Sequence, residues 1–179
     1  MILPRRGWWQ RLRHSRGFGV HSPSAYRYIR EVLHERYAYY AYERIDAYAA
    51  DFPGGRSKAR MLLRIAIYAR PQHAAVAGCA AAASRIVAEA CPAACLHEAI
   101  DTRCRLLVLD GDSFDAEAAM DCARAGATVV LPHCSGGACS ELLRRLRSEL
   151  PTGHTFLNGS GTAVHVPAPA PAQTFAVRF

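Results

Sequence analysis

The sequence predicts an α/β protein with a mostly parallel sheet and helices on both faces. It is entered through a helical N-terminal extension and closed by a C-terminal β-hairpin. Three observations predict this. Residues 105–110 and 127–131 are apolar almost throughout, as strands buried on both faces are. Each is followed within a few residues by a stretch of helical periodicity, and alternation of this kind builds parallel sheets. Last, Phe156-Leu157 and residues 162–166 flank Asn158-Gly159-Ser160-Gly161, a turn sequence that makes the sheet mixed.

Taken in order, Ser22-Pro23 marks a helix start, with Ser at the cap and Pro at the first helical position. Tyr26, Ile29, Val32 and Leu33 continue it to about residue 34. A second helix is expected over 39–50, broken by Pro53-Gly54-Gly55, and a third over 57–69, ending before Pro71. From residue 73 the texture changes. The run Ala74-Ala75-Val76-Ala77 reads as a strand ending at Gly78-Cys79, followed by a helix to about residue 90. Residues 94–97 read as a short second strand and 105–110 as the strongest one. A helix over 114–125 is closed by Gly126, the strand at 127–131 follows, and a helix over 138–150 stops at Pro151. The Pro-Ala repeat at 167–172 reads as a stiff linker leading to a last strand at 174–179. The expected organisation is a basic arm at 1–21 and one domain at 22–179, comprising a helical extension (22–69) and a sheet core (73–179).

Composition narrows the class. The chain of 179 residues contains 33 Ala and 21 Arg, and its one lysine is Lys58. Leu, Ile, Val, Met, Phe and Trp together number 43, so the core is real but modest. No apolar run approaches the ~20 residues that span a bilayer, and the Arg-rich start lacks the apolar centre of a signal peptide. Seven cysteines without regular spacing argue for free thiols and a reducing, cytoplasmic setting. The +7 charge is concentrated in residues 1–30, which hold seven arginines and no acid. This is read as a solvated arm rather than a nucleic-acid surface. Membrane insertion is not expected, and a homo-oligomer stays open.

The order of elements, together with His21-Ser22-Pro23-Ser24, the Tyr-rich segment Tyr39-Tyr40-Ala41-Tyr42-Glu43-Arg44-Ile45 and the terminal Phe175-Ala176-Val177-Arg178-Phe179, resembles class I S-adenosylmethionine-dependent methyltransferases. More narrowly, it resembles a group of bacterial O-methyltransferase-like proteins. The resemblance implies a Rossmann-like fold and S-adenosylmethionine as cofactor. In that family an acid and then Leu-Gly-x-x-x-Gly close the first strand. Here the stretch is Val76-Ala77-Gly78-Cys79-Ala80-Ala81-Ala82, which keeps Gly78 and places Ala82 at the second glycine. The acid that would receive the ribose hydroxyls corresponds to Glu98, 20 residues after Gly78, close to the spacing nucleotide sites use. Asp110-Gly111 matches an Asp-Gly whose acid faces the transferring methyl group or a metal; the competing reading of Asp110 is a helix cap. Val76 replaces the family's first acid and Asp112-Ser113 its Asn-His. Val129-Val130-Leu131-Pro132-His133 lacks its Asp-Asp pair, leaving His133 as a candidate general base.

Between Glu98 and Arg105 only six residues intervene, where a full methyltransferase would place a helix, a strand and another helix. Half of the cofactor pocket is therefore missing from the sequence. A parallel connection usually needs a dozen or more residues, so either residues 94–97 are not a regular strand or the chain crosses in an extended or single-turn path. No metal site is expected either, because Cys91, Cys95, His97 and His133, Cys134, Cys139 form no paired C-x₂-C knuckles. The function expected is a degenerate methyltransferase-like scaffold with an interaction or regulatory role. The alternative is an active small O-methyltransferase in which Gly78, Glu98 and Asp110 hold the cofactor.

Overall fold

A computed structural model describes residues 21–79, 81–134 and 136–179; the expected basic arm lies outside them apart from His21. The helical extension comprises α1 (Pro23–Tyr28), continued by a π-helical turn (Ile29–Leu33), then α2 (Ala41–Asp46), a 3₁₀ turn (Ala49–Asp51) and α3 (Gly55–Ala69). The sheet core follows as β1 (His73–Ala77), α4 (Ala81–Ala90), β2 (Cys95–His97), β3 (Leu106–Leu109), α5 (Ala116–Arg124), β4 (Thr128–Leu131), α6 (Gly137–Ser148), β5 (Thr152–Leu157), β6 (Ala163–Pro171) and β7 (Gln173–Ala176). The seven strands form one sheet in the order β2-β1-β3-β4-β6-β5-β7, in which every neighbouring pair is parallel except those involving β6. The mixed α/β architecture expected from the sequence is present.

Alternation along β3 and β4 sends side chains to two separate cores. Leu106, Val108 and Val130 join α3, α4 and the N-terminal helices on one face; Leu107, Leu109, Val129 and Leu131 join α5 and α6 on the other. The extension is thus continuous with one face of the sheet. Tyr28 stacks on Phe156 at a centroid distance of 5.2 Å. Ser22 caps α1 by accepting from the Ala25 amide, while the Ser22 and Ser24 hydroxyls lie 3.2 and 2.8 Å from His154 Nε2 on β5. The His-Ser-Pro-Ser segment therefore fastens the first helix to a late strand. Arg64 on α3 donates to the carbonyls of Val32 and Leu33, which end the π-turn without helical partners.

Two expectations change and one open alternative is decided. The helix expected over 39–50 is two short pieces, α2 and the 3₁₀ turn. The Pro-Ala repeat is not a linker but the second half of β6, which runs through to Pro171. Its prolines alternate, so their missing donors fall on one side of the strand, and the ladder resumes at Thr152↔Pro171 past an irregularity. The chain then passes the start of β5, where the Ala172 amide donates to Pro151, and pairs as β7 in parallel on the outer side of β5. The alternative left open for residues 94–105 is decided: β2 is a regular parallel strand despite the short connection after it. Residues 98–105 cross β1 without a helix. The path makes a single turn in which the Cys104 amide donates to the Asp101 carbonyl at 2.8 Å. Cys104 is buried in the second core along this path and Ile100 packs half-buried against it, while the Cys122 thiol on α5 donates to the Asp101 carbonyl.

Candidate functional site

The strand order reverses between β1 and β3: the chain leaves β1 for β2 on one side and comes back to β3 on the other. In open α/β sheets, ligand sites lie beyond the carboxyl ends of the strands at such a point. Gly78 and Asp110 meet there. The Asp110 amide donates to Ala77 at 3.0 Å, and Gly78 has φ +67. A Cβ on Gly78 would fall 1.8 Å from the Asp110 carbonyl oxygen, so this approach of two strand ends requires glycine twice over. Asp110 is half-buried and its Oδ1 accepts from the Gly111 amide at 2.9 Å. It does not cap α5. That cap is Asp115, whose Oδ1 accepts from Glu117 and Ala118.

Lys58 was not singled out in the sequence as a site residue, yet it reaches this point from the first turn of α3. Its stem packs over Gly54, and Nζ donates to the Pro132 carbonyl at 3.2 Å. Burial pushes its pKa down, while the neighbouring Asp110 carboxylate opposes the shift. Asp112, the other acid of the loop, is committed to structure: Oδ1 accepts from the Ala138 amide at 2.6 Å, at the positive end of α6. Gly137 makes room for that carboxylate, which a Cβ would meet at 1.8 Å. The thiols here are protonated donors. Cys79 and Cys139 point at the carbonyls of Val108 and Leu109, and burial pushes each thiol up to about 12.

The remaining sequence candidates are dispersed. His133 is exposed just after β4. Glu98 is exposed at the end of β2, with no hydrogen bond or ion pair to another described residue; Arg103 is held by Asp101 and Arg105 by the Ala125 carbonyl. Ala82 is buried in α4, its methyl in the core beneath the N-terminal helices rather than at the strand ends. Of the five candidates, the fold brings Gly78 and Asp110 into contact.

A second feature lies at the other end of the strands. A cavity of about 770 Å³ is lined by Tyr28, Tyr68, Arg70, His73, Arg103 and His154 among others. The Tyr28 hydroxyl is buried without a partner among the described residues, and burial raises its pKa far above the ordinary value. At the cavity's edge His73 meets Cys95 and His97. The two cysteine–histidine trios visible in the sequence are not assembled: Cys91 turns to the Ala66 carbonyl on α3, and Cys139 is buried in the second core. His73 escaped notice because it lies 22 positions before Cys95, and strand register alone brings them side by side.

No protein-family model matches this sequence, and comparison with curated proteins and with solved structures found no match. Among the described residues, no helix is long and apolar enough to cross a membrane.

Proposed function

We propose that this chain is a methyltransferase-like scaffold of Rossmann-like type, whose nucleotide end is closed by its own side chains and which acts through interaction rather than methyl transfer. The observation that carries the reading is Lys58. At the point where a sulfonium cofactor would lie, the protein supplies its own cation, beside Asp110 and bonded to the Pro132 carbonyl. The strand order and the lone reversed strand β6 support the methyltransferase-like part of the reading. The helix-free crossing at 98–105 supports loss of the wall that would hold an adenine. Calorimetric titration with S-adenosylmethionine tests this. The expected result is no binding tighter than about 1 mM, equivalent to ~4 kcal/mol; a dissociation constant in the micromolar range overturns it.

The exposed carboxylate of Glu98 at the end of β2 favours the second reading, a small O-methyltransferase. There Gly78, Glu98 and Asp110 would bind S-adenosylmethionine, and the enzyme would need little beyond alignment of an acceptor oxygen with the methyl group. His133 would act as base on the acceptor. The same titration separates the two readings.

A further inference from the structure

We propose that His73, Cys95 and His97 bind one borderline divalent transition-metal ion of the zinc class, which clips the edge strand β2 to β1. The backbone sets up the donors. His73 pairs with Cys95 and Ala75 with His97 in the parallel ladder, so residues 73, 95 and 97 project from the same face of neighbouring strands. A ring nitrogen of His73 (Nδ1) lies 3.1 Å from one of His97 (Nε2), and the three donor atoms lie within 4.8 Å of one another. A tetrahedral ion with bonds of ~2.0–2.1 Å to nitrogen and ~2.3 Å to sulfur holds its nitrogens about 3.3 Å apart and nitrogen from sulfur about 3.6 Å. The histidines are already at that separation, and the sulfur needs to move by about an ångström.

The donor set selects the ion. Two imidazoles and a thiolate suit zinc or cobalt(II), while calcium and magnesium require oxygen ligands that the trio lacks. On binding, the Cys95 thiol proton leaves to solvent. The proton shared between the rings shifts to the outer nitrogen of the ring that carried it, so both histidines ligate as neutral imidazoles. The fourth position is filled from solvent, on the side where the cavity reaches His73. The ion has a structural use here, because β2 has three residues, one neighbouring strand and a helix-free connection after it.

The test uses the full chain with a non-thiol reductant and cobalt(II) chloride as probe. One equivalent of cobalt is expected to bind, with a sulfur-to-metal charge-transfer band in the near ultraviolet and the visible bands of a four-coordinate ion, all displaced by zinc. Cys95→Ser, at an exposed position, is expected to abolish the charge-transfer band, and His97→Gln to weaken binding at least about tenfold. Cys134→Ser, remote from the trio, should change nothing. Zinc should raise the melting temperature of the parent chain but not that of Cys95→Ser. The proposal is overturned by zinc or cobalt binding no tighter than about 0.1 mM, or by a band that survives both Cys95→Ser and His97→Gln. Equal loss of the band in Cys134→Ser overturns it too. Should one substitution unfold the protein, His73→Gln is read in the same way. The outcome is independent of whether S-adenosylmethionine binds.

Discussion

At the carboxyl ends of its strands the sheet presents Gly78, Asp110, Asp112 and Lys58; at the amino ends it presents His73, His154, Arg103 and Arg105 around a cavity. The first set is engaged with itself. Gly78 lies against the Asp110 backbone, Asp112 is spent on the first turn of α6, and Lys58 bridges to Pro132. The second set is engaged too, His154 with Ser22 and Ser24, Arg103 with Asp101, Arg105 with the Ala125 carbonyl and His73 with His97. These contacts, however, border a cavity lined by Tyr28, whose hydroxyl is buried without a partner among the described residues. The end at which the strand order reverses is therefore occupied by internal contacts. The opposite end borders a cavity of about 770 Å³ and carries the His73–Cys95–His97 cluster, and so retains more capacity for an external ligand.

The largest effect that would break this contrast is expected from Gly78→Ala. A methyl group there faces the Asp110 carbonyl at 1.8 Å with φ at +67. Strain and overpacking together are expected to cost about 3–5 kcal/mol, read from the denaturation midpoint. A loss below about 1 kcal/mol would mean that the two strand ends are loosely apposed and the carboxyl end is open after all.

A smaller effect sharpens the description of the histidine-rich end. His165 is buried on β6 beside Thr155 Oγ1 at 3.0 Å, and burial, with a lesser contribution from His154, lowers its pKa to about 4. The unfolded chain takes up this proton near pH 6.5 and the folded one only near pH 4. The neutral-histidine contribution is therefore complete above pH 6.5 and is lost as pH falls from 6.5 to 4. Its size is on the order of 3 kcal/mol. Denaturant midpoints measured across that interval should fall in the parent chain and flatten in His165→Gln; an unchanged slope in the variant removes His165 as the cause.

The smallest effect concerns Glu98. Exposed and unpaired among the described residues, it should contribute less than about 0.5 kcal/mol to folding, so Glu98→Gln should leave the melting temperature nearly unchanged. If S-adenosylmethionine binds to the parent chain, the same substitution should weaken it by roughly ten- to a hundred-fold. Unchanged affinity in that case would detach Glu98 from the nucleotide reading.

The sequence by itself determined the alternation of strands and helices, because the uninterrupted apolar runs at β3 and β4 and the turn at residues 158–161 carry their own physical signature. It also placed Gly78 and Asp110 at the ends of their strands, since each follows a strand readable from local pattern, and left open whether a strand precedes Glu98. Only the tertiary structure decided what these residues touch. Whether Asp110 or Asp115 caps α5 depends on where the helix begins, a matter of one turn that periodicity does not resolve. That Asp112 serves α6 and Lys58 serves Pro132 follows from packing between elements 26 and 74 residues apart. The Pro-Ala repeat has the same local conformation as a linker or a strand, and the presence of β5 beside it made it a strand. The His73–Cys95–His97 cluster depends on parallel register, which is set by the burial of β1 and by the turn that starts β2, and no spacing along the chain encodes it.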